Sequence, residues 1–175
     1  QIKIYIKVTS YKLFLTTFFP KLIVIEENMG LKGKLIASVE VKCGGHPIHD
    51  FFHIHTHHIP NISPSIINHF EIHEGETVKV GSIVSWNYNE AGQKKFIKQV
   101  IEAIDPDMKS ITWKVIEGDV LELYNSFTVI LSCEHEWTTW TIEYEKKTED
   151  ISEPLIQLGL LLDLTKDIES HLLKK

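Results

Sequence analysis

Alternation of apolar and polar residues in three stretches of the chain predicts antiparallel strands. The stretches are residues 82–89, 110–117 and 137–147. Side chains two positions apart lie on the same face of a strand, so one face of each stretch is predicted to be apolar. The residues on these faces are, in chain order, Val84, Trp86, Tyr88, Ile111, Trp113, Val115, Trp140, Ile142 and Tyr144.

Four further stretches with weaker patterns are also predicted to be strands. They span residues 31–41, 69–74, 94–104 and 121–132. The inward face of residues 94–104 is ambiguous. Residues 121–132 are predicted to turn four apolar side chains toward the core, namely Leu123, Phe127, Val129 and Leu131. Turn-forming residues separate the strands closely, which favours an antiparallel meander of seven strands.

One long helix is predicted at the end of the chain, over residues 152–173. Ser152 is expected to cap this helix, and Pro154 is expected in its first turn. Apolar residues recur every four positions and predict a stripe that faces the sheet, formed by Ile156, Leu160, Leu164, Ile168 and Leu172. Two short helices are predicted after the first strand, at residues 47–54 and 65–68. These elements make an α+β domain with a long helix against one antiparallel sheet.

The first 28 residues differ in composition from the rest, because they are rich in Ile, Lys, Phe, Leu and Thr and lack Gly and Ala. A membrane-spanning helix needs about 20 apolar residues, and residues 13–25 are fewer and contain Pro20 and Lys21. A weak targeting segment and a genuine extra element both remain open. The pattern favours a third interpretation, in which residues 1–28 are a non-native or disordered extension read through upstream of Met29. The domain is then residues 29–175.

The charged residues argue against nucleic acid and membrane surfaces as partners. The net charge is −6, and all 18 basic residues are lysines. Arginine is the residue best suited to bidentate phosphate and base contacts, so an acidic chain without it is a poor nucleic-acid binder. The two cysteines, Cys43 and Cys133, cannot build a disulfide framework, which predicts a reduced, cytoplasmic protein.

Six histidines lie close together between His46 and His58. Three of them, His49, His53 and His57, have the i, i+4 spacing that can present a metal-binding face on a helix. No cysteine or clear carboxylate nearby completes such a ligand set. We therefore predict no metal site and no cofactor, and interpret this segment as a solvated or partly packed helix, for which a gating or pH-sensing role is open.

The order of elements resembles the Bet v I superfamily, and six short stretches resemble its major-latex-protein branch. They are residues 31–35, 69–75, 80–88, 115–119, 143–146 and 168–173. The resemblance covers residues 29–175. It implies a seven-stranded curved sheet wrapped around the long helix, two short helices closing one end, and a large internal cavity.

The same resemblance implies a pathogenesis-related protein that binds a small hydrophobic ligand, such as a sterol, fatty acid, flavonoid or hormone-like molecule, and takes part in defence or stress responses. A monomer or weak dimer is expected. Combined with the predicted inward faces, it implies ligand contacts at Val84, Trp86, Tyr88, Trp113, Val115, Phe127, Val129, Trp140, Ile142, Ile156, Leu160 and Leu164. A Leu160→Trp substitution is expected to fill the cavity and weaken binding.

An enzymatic alternative stays open, because relatives in the superfamily include an alkaloid-type condensing enzyme and an isomerase. Such chemistry needs an acid–base group inside an apolar cavity. The inward faces are nearly all apolar, with no clear acid–base pair; Lys98, Gln99 and Glu102 lie on the one strand with ambiguous facing. We therefore predict a non-catalytic carrier or store. A regulatory protein whose partner senses the bound ligand is a further possibility.

Overall fold

The computed structural model describes residues 2–5 and 22–174, with side chains described from Glu26 onward. Its strands are β1 (Ile2–Tyr5), β2 (Leu22–Met29), β3 (Lys32–Glu40), β4 (Ile67–Ile72), β5 (Ile83–Glu90), β6 (Gln93–Asp105), β7 (Ser110–Gly118), β8 (Tyr124–Glu134) and β9 (Trp137–Lys146). Its helices are α1 (Gly45–His53), α2 (Ile59–Ile62) and α3 (Leu155–Leu172), with two 3₁₀ turns at Thr56–His58 and Asp119–Glu122. The α+β class and the long C-terminal helix are confirmed. No described helix is long and apolar enough to cross a bilayer.

The described strands form one antiparallel sheet in the order β1-β2-β3-β9-β8-β7-β6-β5-β4. The predicted seven strands correspond to β3–β9, and the prediction of seven is corrected to nine because β2 pairs with β3 along its whole length and β1 pairs with β2. Gly30, with φ of +69°, lies in the turn between β2 and β3. Residues 1 and 6–21 lie outside the described residues, so the proposal that residues 1–28 are a non-native or disordered extension stays a prediction.

The inward faces predicted from strict alternation are confirmed. On β5, β7 and β9 the apolar residues named above are all buried, and on β5 Ser85 on the opposite face is buried as well. Trp140 and Ile142 are among the largest fully buried side chains. Each of these strands has one face on the core, so a period of two is sufficient to predict the facing.

Strand β6 turns Ile97, Gln99 and Ile101 toward the core. On its other face Lys98 and Glu102 pair with residues of β7, at 3.7 Å in both cases. The sequence was ambiguous here for two reasons. A glutamine occupies an inward position, and register shifts at Lys98/Gln99 and Ile101/Ala103 interrupt the alternation.

The second short helix lies earlier in the chain than predicted. It is α2, which follows the 3₁₀ turn Thr56–His58, whereas residues 67 and 68 of the predicted helix already belong to β4. Pro60 lies in the first turn of α2, where a missing N–H is not needed. A proline is therefore compatible with a helix that begins just before it, and the helix starts earlier than residues 65–68.

The start of β8 also differs from the prediction, since Leu123 is 50% exposed. The 3₁₀ turn Asp119–Glu122 delays the strand and buries Val120 instead. A register shift between Tyr124 and Ser126 then lets Tyr124 and Phe127 both face the core, although they are three residues apart.

Helix α3 begins at Leu155, with Pro154 as its N-cap and no side-chain cap. The prediction that Ser152 caps it is wrong, because Ser152 lies two residues before the N-cap; its carbonyl accepts a 2.6 Å hydrogen bond from the hydroxyl of Tyr124. The predicted stripe is wrong at its first residue, since Ile156 is 51% exposed. At about 100° per residue, each step of four residues goes about 40° beyond a full turn of the helix. The four steps from Ile156 to Leu172 therefore rotate the stripe by about 160° around the helix. The prediction holds at Leu164 and Ile168, which are buried together with Leu158, Leu162 and Thr165.

Candidate functional site

A cavity of about 110 Å³ lies between the sheet and helix α3. It is lined by residues from the sheet, from α1, from the segment before β4, from the 3₁₀ turn Asp119–Glu122 and from α3. The lining residues are Phe52, Ile66, Ile67, Trp86, Tyr88, Ile97, Gln99, Trp113, Val120, Phe127, Val129, Trp140, Ile142, Gln157, Leu160, Leu161 and Leu164.

Most of the residues predicted to contact a ligand line this cavity. They are Trp86, Tyr88, Trp113, Phe127, Val129, Trp140, Ile142, Leu160 and Leu164. Val84 and Val115, the cross-strand partners of Gln99, are buried but do not line the cavity. Ile156 is exposed and also lies outside the lining. The role of these residues as ligand contacts stays a prediction.

Several lining residues were missed by sequence reasoning, namely Phe52, Ile66, Ile67, Ile97, Gln99, Val120, Gln157 and Leu161. Ile66 comes from an irregular segment, and Ile67 begins β4 before the predicted start of that strand. Val120 belongs to a 3₁₀ turn. Only the tertiary fold brings such positions to the cavity. Phe52 had a usable signal, since it follows Phe51 in the short helix predicted at residues 47–54.

Three aromatic rings form one wall of the cavity. Trp113 and Trp140 are stacked with ring centroids 6.2 Å apart, and Phe52 of α1 meets Trp140 edge-on at 5.1 Å. The indole nitrogen of Trp140 donates a hydrogen bond to Thr165 of α3. Because its one donor is satisfied in this way, Trp140 presents only apolar surface to the cavity.

Polar groups are few in this lining. Trp86 Nε1 donates to Gln99 Oε1 at 3.1 Å, and Gln157 Nε2 donates to Glu90 Oε1 at 2.7 Å. Tyr88 also lines the cavity. The pKa of its hydroxyl is raised by burial and, to a smaller extent, by Glu90 and Asp119. Tyr88 therefore stays protonated at neutral pH. Among the described residues, no acidic or basic side chain lines the cavity.

The cavity is smaller than the large one that the family resemblance implied. Pockets for drug-sized ligands usually enclose about 300–1,000 Å³, whereas this cavity measures about 110 Å³. An apolar cavity of about 150 Å³ is enough to bind benzene. At about 110 Å³ this cavity is smaller than that, so a ligand of one or two rings requires movement of lining side chains such as Leu160 and Leu161.

The histidine segment lies outside the cavity. Helix α1 ends at His53, so His57 falls in the following 3₁₀ turn and the i, i+4 face is not continued. His55, His58 and His171 line an open surface groove of about 490 Å³. Within the described part of the chain, no three His, Cys, Asp or Glu side chains are grouped so that they could hold a metal ion.

Comparison with known proteins identifies the family. The model of the pathogenesis-related protein Bet v 1 family matches residues 30–175. The chain belongs to this family. The Bet v 1 domain therefore spans all of the described elements from β3 to α3, and the predicted resemblance is confirmed.

Similar Bet v 1 proteins are major-latex-protein-like. MLP-like protein 31 of Arabidopsis thaliana is 36% identical over 155 residues, covering 85% of this chain and 91% of that protein. MLP-like protein 43 of the same plant is 37% identical over 153 residues, covering 84% and 97%. The crystal structure of ginseng major latex-like protein 151 from Panax ginseng has 42% identity and a TM-score of 0.77, covering 81% of this chain and 98% of that one.

Norcoclaurine synthase from Thalictrum flavum has the same Bet v 1 fold at greater distance. It is 20% identical, has a TM-score of 0.68, and covers 85% of this chain and 98% of its own. At this identity the likeness extends to the fold alone.

Proposed function

We propose that this protein binds a small, mostly apolar molecule in the cavity between the sheet and α3 and acts as a carrier or store. Membership of the Bet v 1 family supports a ligand-binding role. The observation that carries the proposal is an interior cavity whose walls are almost entirely aromatic and aliphatic side chains. Affinity then comes from burial of apolar ligand surface, at about 25 cal/mol per Å².

The lining supports a non-catalytic role over a condensing or isomerising enzyme. Proton transfer requires a group that titrates near neutral pH within reach of the ligand. Lys98 and Glu102 lie on the outer face of β6, in ion pairs with residues of β7. Tyr88 lines the cavity, but its raised pKa makes it a poor base at neutral pH.

We also propose that the protein works in the cytoplasm, as a monomer or weak dimer, in defence or stress responses. The free cysteines fit a reducing compartment. Burial raises the pKa of Cys43 to about 11 and that of Cys133 to about 12, so both remain thiols at neutral pH.

Native mass spectrometry of protein purified gently from its source tissue tests for a co-purifying apolar molecule and gives its mass.

A substitution on α3 tests the site directly. Leu160→Trp places a large ring at the cavity wall, whereas Ile156→Trp adds the same ring on the same helix at a residue that is 51% exposed and does not line the cavity. With indane as an uncharged two-ring probe, ligand-observed NMR should give at least tenfold weaker binding for Leu160→Trp and unchanged binding for Ile156→Trp. Equal affinity in both folded variants contradicts the proposed site.

A further inference from the structure

We propose that Gln99 is the specificity-determining residue of this cavity. Its carboxamide NH₂ selects uncharged ligands that carry a hydrogen-bond acceptor, such as a ring ketone, over hydrocarbons of the same shape and over carboxylates. This inference rests on the proposed function, because it concerns the ligand class of the same cavity.

The chemistry of Trp86 determines the orientation of the Gln99 carboxamide. Trp86 Nε1 and the Gln99 side-chain oxygen are 3.1 Å apart. An indole N–H can only donate, so the atom of Gln99 that faces it must be the carbonyl oxygen. The NH₂ group is therefore at the other end of the carboxamide, away from Trp86.

The NH₂ group of Gln99 is buried and has no acceptor among the described residues. Gln99 is 5% exposed and lines the cavity, between Val84 on β5 and Val115 on β7. In the described part of the chain, the buried side-chain polar atoms that lack both a partner and any accessible surface are His49 Nε2 and Tyr144 Oη. Gln99 Nε2 is not one of them, so it keeps access to the cavity space.

An unpartnered donor in an apolar cavity favours a ligand with an acceptor. Leaving a buried donor unpaired is costly, and a ligand oxygen placed against it recovers that cost. The other glutamine in the lining, Gln157, does not offer the same opportunity, because its NH₂ already donates to Glu90 at 2.7 Å. The two glutamines therefore differ in the one property on which the inference depends.

The charges around the cavity exclude an ionised ligand head from its interior. No cationic side chain lines the cavity in the described residues, and Glu90 lies beside the lining residue Gln157. A carboxylate moved into this space would lose its hydration without gaining a counterion. The acceptor on the ligand is therefore a neutral oxygen.

A matched pair of ligands tests the inference. Indane and 1-indanone have the same two-ring frame and differ by one carbonyl group, so both require the same movement of the cavity lining. The measured quantity is the ratio of the Kd for indane to the Kd for 1-indanone, by ligand-observed NMR on the full chain. Gln99→Leu should lower this ratio roughly five- to tenfold, the range expected for one hydrogen bond. Gln157→Leu should leave it within about twofold.

Three outcomes overturn the inference. The Kd ratio is unchanged in Gln99→Leu, it falls equally in Gln157→Leu, or it falls in Tyr88→Phe and not in Gln99→Leu. Indane-1-carboxylate that binds wild type as tightly as 1-indanone also contradicts it. If Gln99→Leu is unfolded by circular dichroism, Gln99→Met supplies the same comparison. This inference alone is wrong if both ligands bind, if both bind more weakly to Leu160→Trp, and if the ratio of their Kd values is unchanged in the Gln99 variants. If neither indane nor 1-indanone binds the wild-type protein, the proposed function is contradicted as well.

Discussion

The indole nitrogen of Trp140, in the middle of β9, donates a 2.8 Å hydrogen bond to the hydroxyl of Thr165 in the middle of α3. Thr165 is fully buried, and its hydroxyl donates in turn to the carbonyl of Leu161 at 2.8 Å. A single polar chain therefore runs from the sheet to the helix backbone beside the cavity. It fixes the distance between α3 and the sheet, and that distance determines the volume of the cavity available to a ligand.

Thr165→Val should destabilise the protein, because it keeps the shape of the side chain but removes the acceptor for Trp140. A buried donor without a partner costs about 1–3 kcal/mol of unfolding free energy. Guanidinium chloride unfolding measures this loss. Thr165→Ser keeps the hydroxyl and is the matched control for ligand affinity, which should stay near that of wild type. A Val variant as stable as wild type means that the hydrogen bond does not hold the helix.

Alternation along the sequence was enough to predict the inward faces of β5, β7 and β9, because each strand has one face on the core. It was not enough for α3, where a strict four-residue repeat drifts around the helix and leaves Ile156 outside. Gln99 was missed for a different reason. A polar residue at an inward strand position looks like a break in the pattern, and only its tertiary contact with Trp86 shows why it is buried.

The ion pair between Lys146 and Glu153 joins the end of β9 to the segment that leads into α3. The Nζ and Oε1 atoms are 2.6 Å apart, and the Lys146 side chain is 6% exposed while that of Glu153 is 26% exposed. Lys146→Met should lower the unfolding free energy by about 2 kcal/mol, less than the 3–5 kcal/mol for a fully buried pair, because water reaches Glu153.

The double variant Lys146→Met with Glu153→Gln should recover part of this loss, since it leaves no uncompensated carboxylate. Urea unfolding of the two single variants and the double variant provides the cycle. Additive losses, with no recovery in the double variant, would mean that the pair contributes through packing and not through charge.

His49 should make the domain lose stability as the pH falls below neutral. It is 1% exposed on α1, and burial lowers its pKa, with Asp50 acting in the opposite direction through a 3.4 Å contact. The unfolded chain takes up a proton near pH 6.5, whereas the folded chain does so only at lower pH. The contribution of His49 is therefore complete above that pH and is lost below it, by at most about 1.4 kcal/mol per pH unit.

Unfolding by guanidinium chloride between pH 7.5 and pH 5.5 tests this dependence. His49→Leu should flatten the profile in this window, because the variant has no proton to take up on unfolding. His46→Gln is the control, since His46 lies on the same helix and is exposed. A His49→Leu profile as steep as that of wild type assigns the acid sensitivity to other groups, with the carboxylates as the first candidates.

Residues 29–175 should fold and bind ligand without the preceding segment. The Bet v 1 family model begins at residue 30, and every member of the buried apolar cluster in the described residues lies at Leu35 or beyond. The truncated chain loses the pairing of β2 with β3 and the 3.3 Å contact from Asn28 to Glu153, both at the edge of the sheet. We expect the affinity for indane to stay within about twofold of the full chain, with a modest fall in Tm. Circular dichroism typical of an unfolded chain would show instead that the first strands are integral to the domain.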